Sequence, residues 1–140
     1  MLVQPVFDGG STTNPPAGSS FAFYVNGGGN VVVYNGTSTQ TLATTVIENE
    51  WTRFAVHSDY NATNWALYVD GALAIENLSF FDSGATAFTE FGLIAGAGES
   101  NAPVDNVSIT TTPPSSVQPF VTFVALATNV AESVGVVTGY

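Results

Sequence analysis

Cysteine is absent from this chain of 140 residues, which excludes disulfide bonds and metal sites built from thiolates. Basic residues are almost absent as well: Arg53 is the only arginine, His57 is the only histidine, and there is no lysine. Eleven acidic residues bring the formal net charge to −10. Such a chain cannot neutralise phosphates, so we expect neither nucleic acid nor an anionic membrane as a partner.

Long apolar runs are also lacking. Although 45% of the residues are hydrophobic, no run approaches the roughly 18 residues that a membrane-spanning helix needs, so we expect no membrane insertion. The opening "MLVQPVFDGG" has no basic region and no long apolar stretch. We therefore expect that a leader has been removed or that the sequence is a fragment. Because charged residues make up only 9%, Thr, Ser, Asn and Gly must cover the surface, which is typical of a secreted or cell-surface protein.

Short segments rich in β-branched and aromatic residues fill most of the first 112 positions. They are separated by turn residues, among which Asn35-Gly36 and Asp70-Gly71 are strong hairpin signals. No helical spacing with caps is evident. The predicted strands cover residues 2–7, 21–26, 31–36, 40–47, 51–60, 64–71, 72–78, 88–96 and 104–112. Many short strands at this spacing predict an all-β, antiparallel sandwich or barrel.

Alternation within two of these strands indicates which side chains face a core. Phe54, Val56 and Ser58 share one face of their strand, and Arg53, Ala55 and His57 share the other. In the next strand the alternation predicts that Trp65 faces the core and that Tyr68 does not. Trp51 has the opposite parity from Phe54, so we expect it to be exposed.

The last 28 residues differ from the body of the chain. The segment "PPSSVQP" (113–119) reads as an extended linker, because proline and the residue before it disfavour regular structure. Residues 120–140 then begin with one strongly apolar strand. We therefore divide the chain into a body (1–112), a linker (113–119) and a C-terminal β-segment (120–140), which is too short to be stable alone.

The stretch "NEWTRFAVHSDYNATNWALYVDGALAIENLSF" (49–80) resembles the centre of a laminin-G-like, concanavalin-A-like jelly roll. In that superfamily a Trp opens a strand and a second Trp precedes a "LYVDG" hairpin. The segments "FAFYVNGGGNVVVYNG" (21–36) and "VDNVSIT" (104–110) extend the resemblance over about residues 20–112. It implies an antiparallel jelly-roll β-sandwich. Such domains have further strands before the first one visible here, so the body would be short of a strand.

The C-terminal segment "VTFVALATNVAESVGVVTGY" (121–140) resembles the opening strands of a Calx-β-type extracellular repeat. Whole repeats of that type are several times longer, so this strand lacks its usual neighbours. A sandwich short of a strand and an unpartnered strand on a tether together suggest strand donation. The donor strand would use five large apolar side chains: Phe120, Val121, Phe123, Val124 and Leu126. The groove predicted to receive them is lined by Phe21, Phe23, Phe54, Val56, Trp65, Leu67, Phe91, Leu93, Val107 and Ile109.

Three destinations for the donor strand stay open. Insertion into a neighbouring copy would build a head-to-tail homopolymer, because a heterologous contact does not close on itself in general. Insertion into its own body would give a monomer, and the tail could instead be the cut edge of a longer protein. The first option predicts a structural subunit of an extracellular filament or adhesive polymer.

Catalysis is not expected. His57 and Asp59 have a spacing that places both on one strand face, but no nucleophile elbow supplies a serine. Glu48 and Glu50 flank Asn49 in a turn. The E-x-D-x-x-E motif of the related jelly-roll glycosidases does not occur in the sequence.

Calcium is the only cofactor that we expect as a candidate. The Gly-rich loop 96–106 carries Glu99, Asn101 and Asp105, whose oxygens are of the kind that Ca²⁺ prefers. The jelly-roll resemblance implies calcium at the rim of the sandwich. The alternative is that these side chains only cap turns.

Two predictions concern glycans: sugar binding by aromatic side chains and N-glycosylation of asparagines. Exposed Trp51 and Tyr68 are candidates for stacking on sugar rings, which would make the chain a carbohydrate-binding module of a larger secreted protein. Four N-x-S/T sequons mark Asn35, Asn61, Asn77 and Asn106 as candidate sites of N-glycosylation. The common alternative for an aromatic side chain is packing in the core.

Overall fold

A computed structural model describes residues 1–3, 14–92 and 103–112, and within these ranges the chain is all-β without a helix. Eight strands follow each other within the described residues. They are β1 (Leu2–Val3), β2 (Phe23–Val25), β3 (Asn30–Asn35), β4 (Ser38–Thr45), β5 (Thr52–Asp59), β6 (Asn64–Val69), β7 (Ala72–Ser79) and β8 (Val104–Asp105). The prediction of the all-β class is confirmed.

The strands form two antiparallel sheets. The larger has the order β7-β6-β5-β1-β8, and the smaller has the order β2-β3-β4. Strand β5 pairs with β6 from Phe54 to Asp59, and its first two residues, Thr52 and Arg53, pair with β1. Each sheet is therefore built mainly from consecutive hairpins, as expected for an antiparallel fold with short connections.

Turn residues in the left-handed region set the registers of these hairpins. Asp70 (φ 50°) and Gly71 (φ 83°) join β6 to β7 with Val69 opposite Ala72, which is the geometry of a type I′ turn. Gly36 (φ 59°) opens the two-residue connection between β3 and β4, where Asn35 lies opposite Ser38. Both hairpins predicted from the sequence are confirmed.

One hydrophobic cluster is shared by the two sheets. The smaller sheet contributes Val31 and Val33 of β3, which are fully buried, and the larger contributes Trp65 and Leu67 of β6, which are 1% and 0% exposed. Ring contacts also join the sheets: the centroids of Phe23 and Phe54 are 5.1 Å apart, and those of Phe21 and Trp65 are 5.9 Å apart. The predicted core position of Trp65 is confirmed, and Phe54, Leu67 and Val69 are buried in the same cluster.

A hydrogen-bonded junction ties the end of β7 to the β3–β4 hairpin. The Ser79 N–H donates to the Asn35 side-chain oxygen at 2.9 Å, and the Gly36 N–H donates to the Ser79 carbonyl at 3.0 Å. Just beyond, the Phe81 N–H donates to the Ser20 carbonyl, and the Phe81 ring stands edge-on to Tyr34 at 5.6 Å. Residues from both sheets thus meet at one corner, and the junction holds the sheets in their relative position.

The central strand β3 is buried on both faces. Val31 and Val33 face the shared cluster, whereas Val32 and Tyr34, which alternate with them, are 3% and 6% exposed. Burial, and secondly the neighbouring Tyr24, raises the pKa of Tyr34 above its ordinary value.

At two places the structure contains fewer strand residues than the sequence predicts. Residues 88–92 are not in a strand, and the rest of the predicted strand 88–96 lies outside the described residues. The predicted strand 104–112 is only two residues long, because its partner β1 is equally short and because Asn106 takes a left-handed backbone (φ 52°) that ends the pairing.

The predicted acceptor groove is wrong in part. Phe54, Trp65 and Leu67 are no more than 2% exposed, so they are core residues and not the lining of an open groove. Val107 and Ile109 are 49% and 61% exposed, because they follow the end of β8 and do not face the shared cluster. Leu93, the linker and the donor strand lie outside the described residues.

No helix that could span a membrane occurs in the described part of the chain.

Two leucines on adjacent strands allow the contribution of the shared cluster to be measured. Leu67→Ala should lower the free energy of unfolding by about 2–5 kcal/mol, because it leaves a cavity at a fully buried position. Leu73→Ala is the matched control, since Leu73 is 48% exposed and its loss should cost about 0.5 kcal/mol or less. Denaturant unfolding of both variants checks this, and equal losses would contradict the assigned core.

Candidate functional site

The first candidate site is the free edge of the smaller sheet. Within the described residues β4 pairs only with β3, so its second edge is open. The strand is eight residues long, and its sequence "STQTLATT" contains neither a charged residue nor a proline. Ser38, Thr39, Gln40 and Thr41 are all exposed.

The direction of the β4 backbone groups follows from its neighbour. The Tyr34 N–H donates to the Ala22 carbonyl, on the β2 side of β3, so the Tyr34–Thr39 pair is not a hydrogen-bonded pair of the β3–β4 ladder. Because hydrogen-bonded and non-hydrogen-bonded pairs alternate, the N–H and C=O groups of Thr39 and Thr41 point away from β3. These groups are therefore oriented to receive another strand.

The other edges differ from β4 in ways that discourage strand addition. The edge strand β7 carries two register irregularities opposite β6, with Asn77 in a left-handed conformation (φ 60°), and it includes Glu76. Strand β8 is two residues long and β2 is three. Bulges, charges and shortness are the usual protections of sheet edges. Among the described edge strands, β4 alone combines length with the lack of charge and proline.

The second candidate site is the outer face of the larger sheet, by which we mean the side turned away from the shared cluster. Strand β5 places Arg53, Ala55 and His57 there, and Tyr68 of β6 lies directly opposite Ala55. Trp51 precedes β5 with the same parity and is 50% exposed. The predicted exposure of Trp51 is confirmed, and Tyr68 is half-buried. Extending the alternation of β5 by one residue to Trp51 assigns the two candidate stacking residues to the same face.

Hydrogen bonds place a carboxylate next to this face. The Arg53 N–H donates to the Asp70 side-chain oxygen at 2.7 Å, and the Asp70 N–H donates to the Arg53 carbonyl at 2.8 Å. This exchange holds the β6–β7 turn against β5. The outer face therefore has a positively charged side chain, Arg53, and a negatively charged side chain beside it, Asp70, in addition to Trp51 and Tyr68.

The side chain of Asp59 caps the turn between β5 and β6. Its Oδ1 accepts hydrogen bonds from the Asn61 and Ala62 N–H groups at 2.9 and 3.0 Å, which closes the turn between β5 and β6. The hydrogen bonds from the Ala62 N–H and then the Asn61 N–H lower the pKa of Asp59 from its ordinary value. Burial opposes this to a smaller extent, and the nearby His57 adds the smallest effect, which also lowers the pKa. This arrangement fits a capping role for the carboxylate.

The calcium candidates are only partly visible. Asp105 lies in β8 and is exposed, and its Oδ1 accepts a hydrogen bond from the Asn106 N–H at 2.7 Å. Glu99 and Asn101 lie outside the described residues. Within the described ranges no three acidic or histidine side chains group together to hold a metal ion. The calcium site stays a prediction.

All four sequon asparagines are exposed. Asn61 lies at the tip of the β5–β6 turn, Asn77 in the irregular part of β7, and Asn106 just after β8. Asn35 differs from them, because its side-chain oxygen is engaged by Ser79 in the junction between the sheets. Their glycosylation stays a prediction.

Two residues at opposite positions of β5 and β6 each carry a buried polar atom. Ser58 lies opposite Trp65, and both the Ser58 hydroxyl and the Trp65 indole N–H are buried without a hydrogen-bond partner among the described residues. An unpaired polar group in a core costs free energy that pairing would recover. Sequence alternation placed both side chains inward but contained no sign that they would lack partners.

Removing the Ser58 hydroxyl should therefore not destabilise the protein. Ser58→Ala should raise the free energy of unfolding by about 1 kcal/mol, because a buried group without a partner is deleted. Ser20→Ala is the control: its hydroxyl lies 3.1 Å from the Tyr60 hydroxyl, and losing that hydrogen bond should cost about 1 kcal/mol. Thermal and denaturant unfolding measure both, and a similar loss in the two variants would show that Ser58 has a partner.

The Asp59 cap should respond to acid. Because its folded pKa is depressed, its stabilising contribution is complete above the ordinary pKa of an aspartate and is lost as the pH falls through the folded value. The amide proton shifts of Asn61 and Ala62, followed by NMR between about pH 2 and 6, should titrate with a midpoint below the ordinary aspartate range. In Asp59→Asn, which keeps an acceptor oxygen but no charge, this titration should vanish. A midpoint at or above the ordinary range would contradict the cap.

Comparison of the chain with models of protein families found no match, and comparisons with curated proteins and with solved structures found none either.

Proposed function

We propose that this protein is a non-catalytic, extracellular structural subunit that assembles head to tail by strand exchange. In this proposal its body is a jelly-roll-like β-sandwich of the laminin-G type. The apolar segment 120–127 of one copy adds to β4 of the next copy. Repetition of that contact produces a filament or an adhesive polymer.

The open edge of β4 is the observation that carries the proposal. Over Ser38–Thr41 the strand is regular, exposed and uncharged, and the backbone groups of Thr39 and Thr41 point outward. A strand added there would continue the ladder of the smaller sheet. Strand addition to such an edge obtains affinity from main-chain hydrogen bonds and specificity from alternate side chains.

The character of the donor segment fits this sheet. Its large side chains, Phe120, Val121, Phe123, Val124 and Leu126, occur at both even and odd positions, so both faces of the strand are apolar. Strands of this kind are buried on both sides. The smaller sheet already contains such a strand, because Val31, Val32, Val33 and Tyr34 of β3 are all buried.

Truncation and one edge substitution test the proposal together. The full chain should form filaments or large oligomers by light scattering and negative-stain imaging, and removal of residues 114–140 should leave a monomer. Thr39→Pro in the full chain should also abolish assembly, because proline removes the outward N–H without breaking a bond to β3. Thr39→Val keeps the N–H and should assemble normally.

The remaining outcomes separate the alternatives. A full chain that stays monomeric at every concentration, with a melting temperature that falls on truncation, would mean that the strand returns to its own body. A monomer indifferent to truncation would mean that the tail is the cut edge of a longer protein. Either result overturns assembly by strand exchange. Circular dichroism should confirm that Thr39→Pro retains its β-structure.

A second candidate function is that of a carbohydrate-binding module in a larger secreted protein. The observation that favours it is the position of Trp51 and Tyr68 on the same outer face of the larger sheet. This surface is separate from the β4 edge, so both functions are compatible in one molecule.

A further inference from the structure

Trp51 and Tyr68 on the outer face differ from most of the described aromatic side chains in their ring contacts. Phe21, Phe23 and Trp65 take part in ring contacts at the shared cluster. Trp51 and Tyr68 make no ring–ring contact with any described residue, and Trp51 is 50% exposed. Large aromatic side chains left unpartnered on a folded surface are characteristic of recognition sites.

The strand geometry determines how far apart these two rings stand. Trp51 and Ala55 are four positions apart, which corresponds to about 13 Å along an extended strand. Tyr68 lies directly across from Ala55 on β6, one strand spacing to the side. Arg53 stands between the two aromatic positions. A ligand that contacts both rings must therefore be elongated and lie along β5.

Small and polar side chains accompany the two rings. Tyr68 lies directly opposite Ala55 of β5 on one side and Leu73 of β7 on the other, and Ala66 is the next outer-face residue of β6. Arg53 and His57 supply hydrogen-bond donors, and the carboxylates of Asp70 and Asp59 lie beside them at the two ends of β5. Donors and acceptors thus alternate with flat apolar rings, which suits a ligand with apolar ring faces and hydroxyl groups at its edges.

The negative charge of the protein favours a neutral ligand over an anionic one. The chain has a net charge of −10, and Asp70, whose carboxylate accepts from the Arg53 backbone N–H, lies beside the single arginine of this face. A polyanionic ligand would meet repulsion both locally and from the whole molecule. A neutral ligand would not.

From these observations we infer that the outer face binds a neutral, linear oligosaccharide along β5, with Trp51 and Tyr68 stacking on separate sugar rings. Arg53 donates to hydroxyl groups between the two rings, and Asp70 accepts from them. This inference rests on the second candidate function and names its ligand class. It is independent of the strand exchange at β4.

The experiment uses the full chain and sets of neutral oligosaccharides of increasing length, namely cello-, manno-, xylo- and laminari-oligosaccharides, with oligogalacturonate as the anionic counterpart. Calorimetry measures affinity. Acrylamide quenching of tryptophan fluorescence reports the contact, because Trp51 is accessible whereas Trp65 is 1% exposed. At least one neutral series should protect Trp51 from the quencher, with affinity that rises with chain length until both rings are engaged.

Variants assign the binding to this face. Trp51→Ala and Tyr68→Ala should each weaken the affinity at least about tenfold, equivalent to about 1.4 kcal/mol. Ile109→Ala is the matched control, because it also removes an exposed apolar side chain (61%) but belongs to neither β5 nor β6, and it should leave the affinity unchanged. Circular dichroism should show that all three variants are folded.

Other results overturn the inference. Absence of binding by every neutral series, tighter binding of oligogalacturonate, or affinity that survives both aromatic substitutions would each do so. Light scattering on the same samples reports assembly separately. A chain that assembles but binds no oligosaccharide would refute the glycan site alone, and one that binds but does not assemble would refute strand exchange alone.

Discussion

The packing of β6 against β3 is the interaction on which the rest of the structure depends. Trp65 and Leu67 on one sheet and Val31 and Val33 on the other are almost completely buried in one cluster. With no disulfide to constrain the chain, this apolar burial is the main favourable term in its stability. It also decides which face of each sheet is left outside, and so where any ligand or partner can bind.

Burial of the inner faces leaves two kinds of surface. The edge of β4 offers backbone groups, and the outer face of the larger sheet offers aromatic rings with polar neighbours. The junction formed by Asn35, Gly36 and Ser79 joins the sheets beside the β3–β4 hairpin. Because the same hairpin positions β4, the open edge is held by the packing of the whole body and does not depend on a mobile loop.

Local sequence signals were reliable where the structure depends on neighbours in the chain. Asp70-Gly71 predicted its turn because few residue pairs accept two left-handed conformations, and alternation placed Trp65 inside and Trp51 outside. The prediction failed for the residues after Asp105, where a β-favouring composition continues but no strand among the described residues pairs with them. It also failed for the groove, because several of its proposed lining residues already fill the core between the sheets.

The all-β class, the hairpins, the inward and outward faces of β5 and β6, and the acidic, cysteine-free composition can all be predicted from the amino-acid sequence. These properties follow from backbone preferences and side-chain periodicity, which act over a few residues. The assembled sheets were needed to show that β4 is an edge strand among the described residues, that Tyr68 lies opposite Ala55, and that Ser58 and Trp65 occupy opposite positions with buried polar atoms that lack hydrogen-bond partners. Strand order and cross-strand neighbours join residues that are distant in the chain, and no local pattern encodes them.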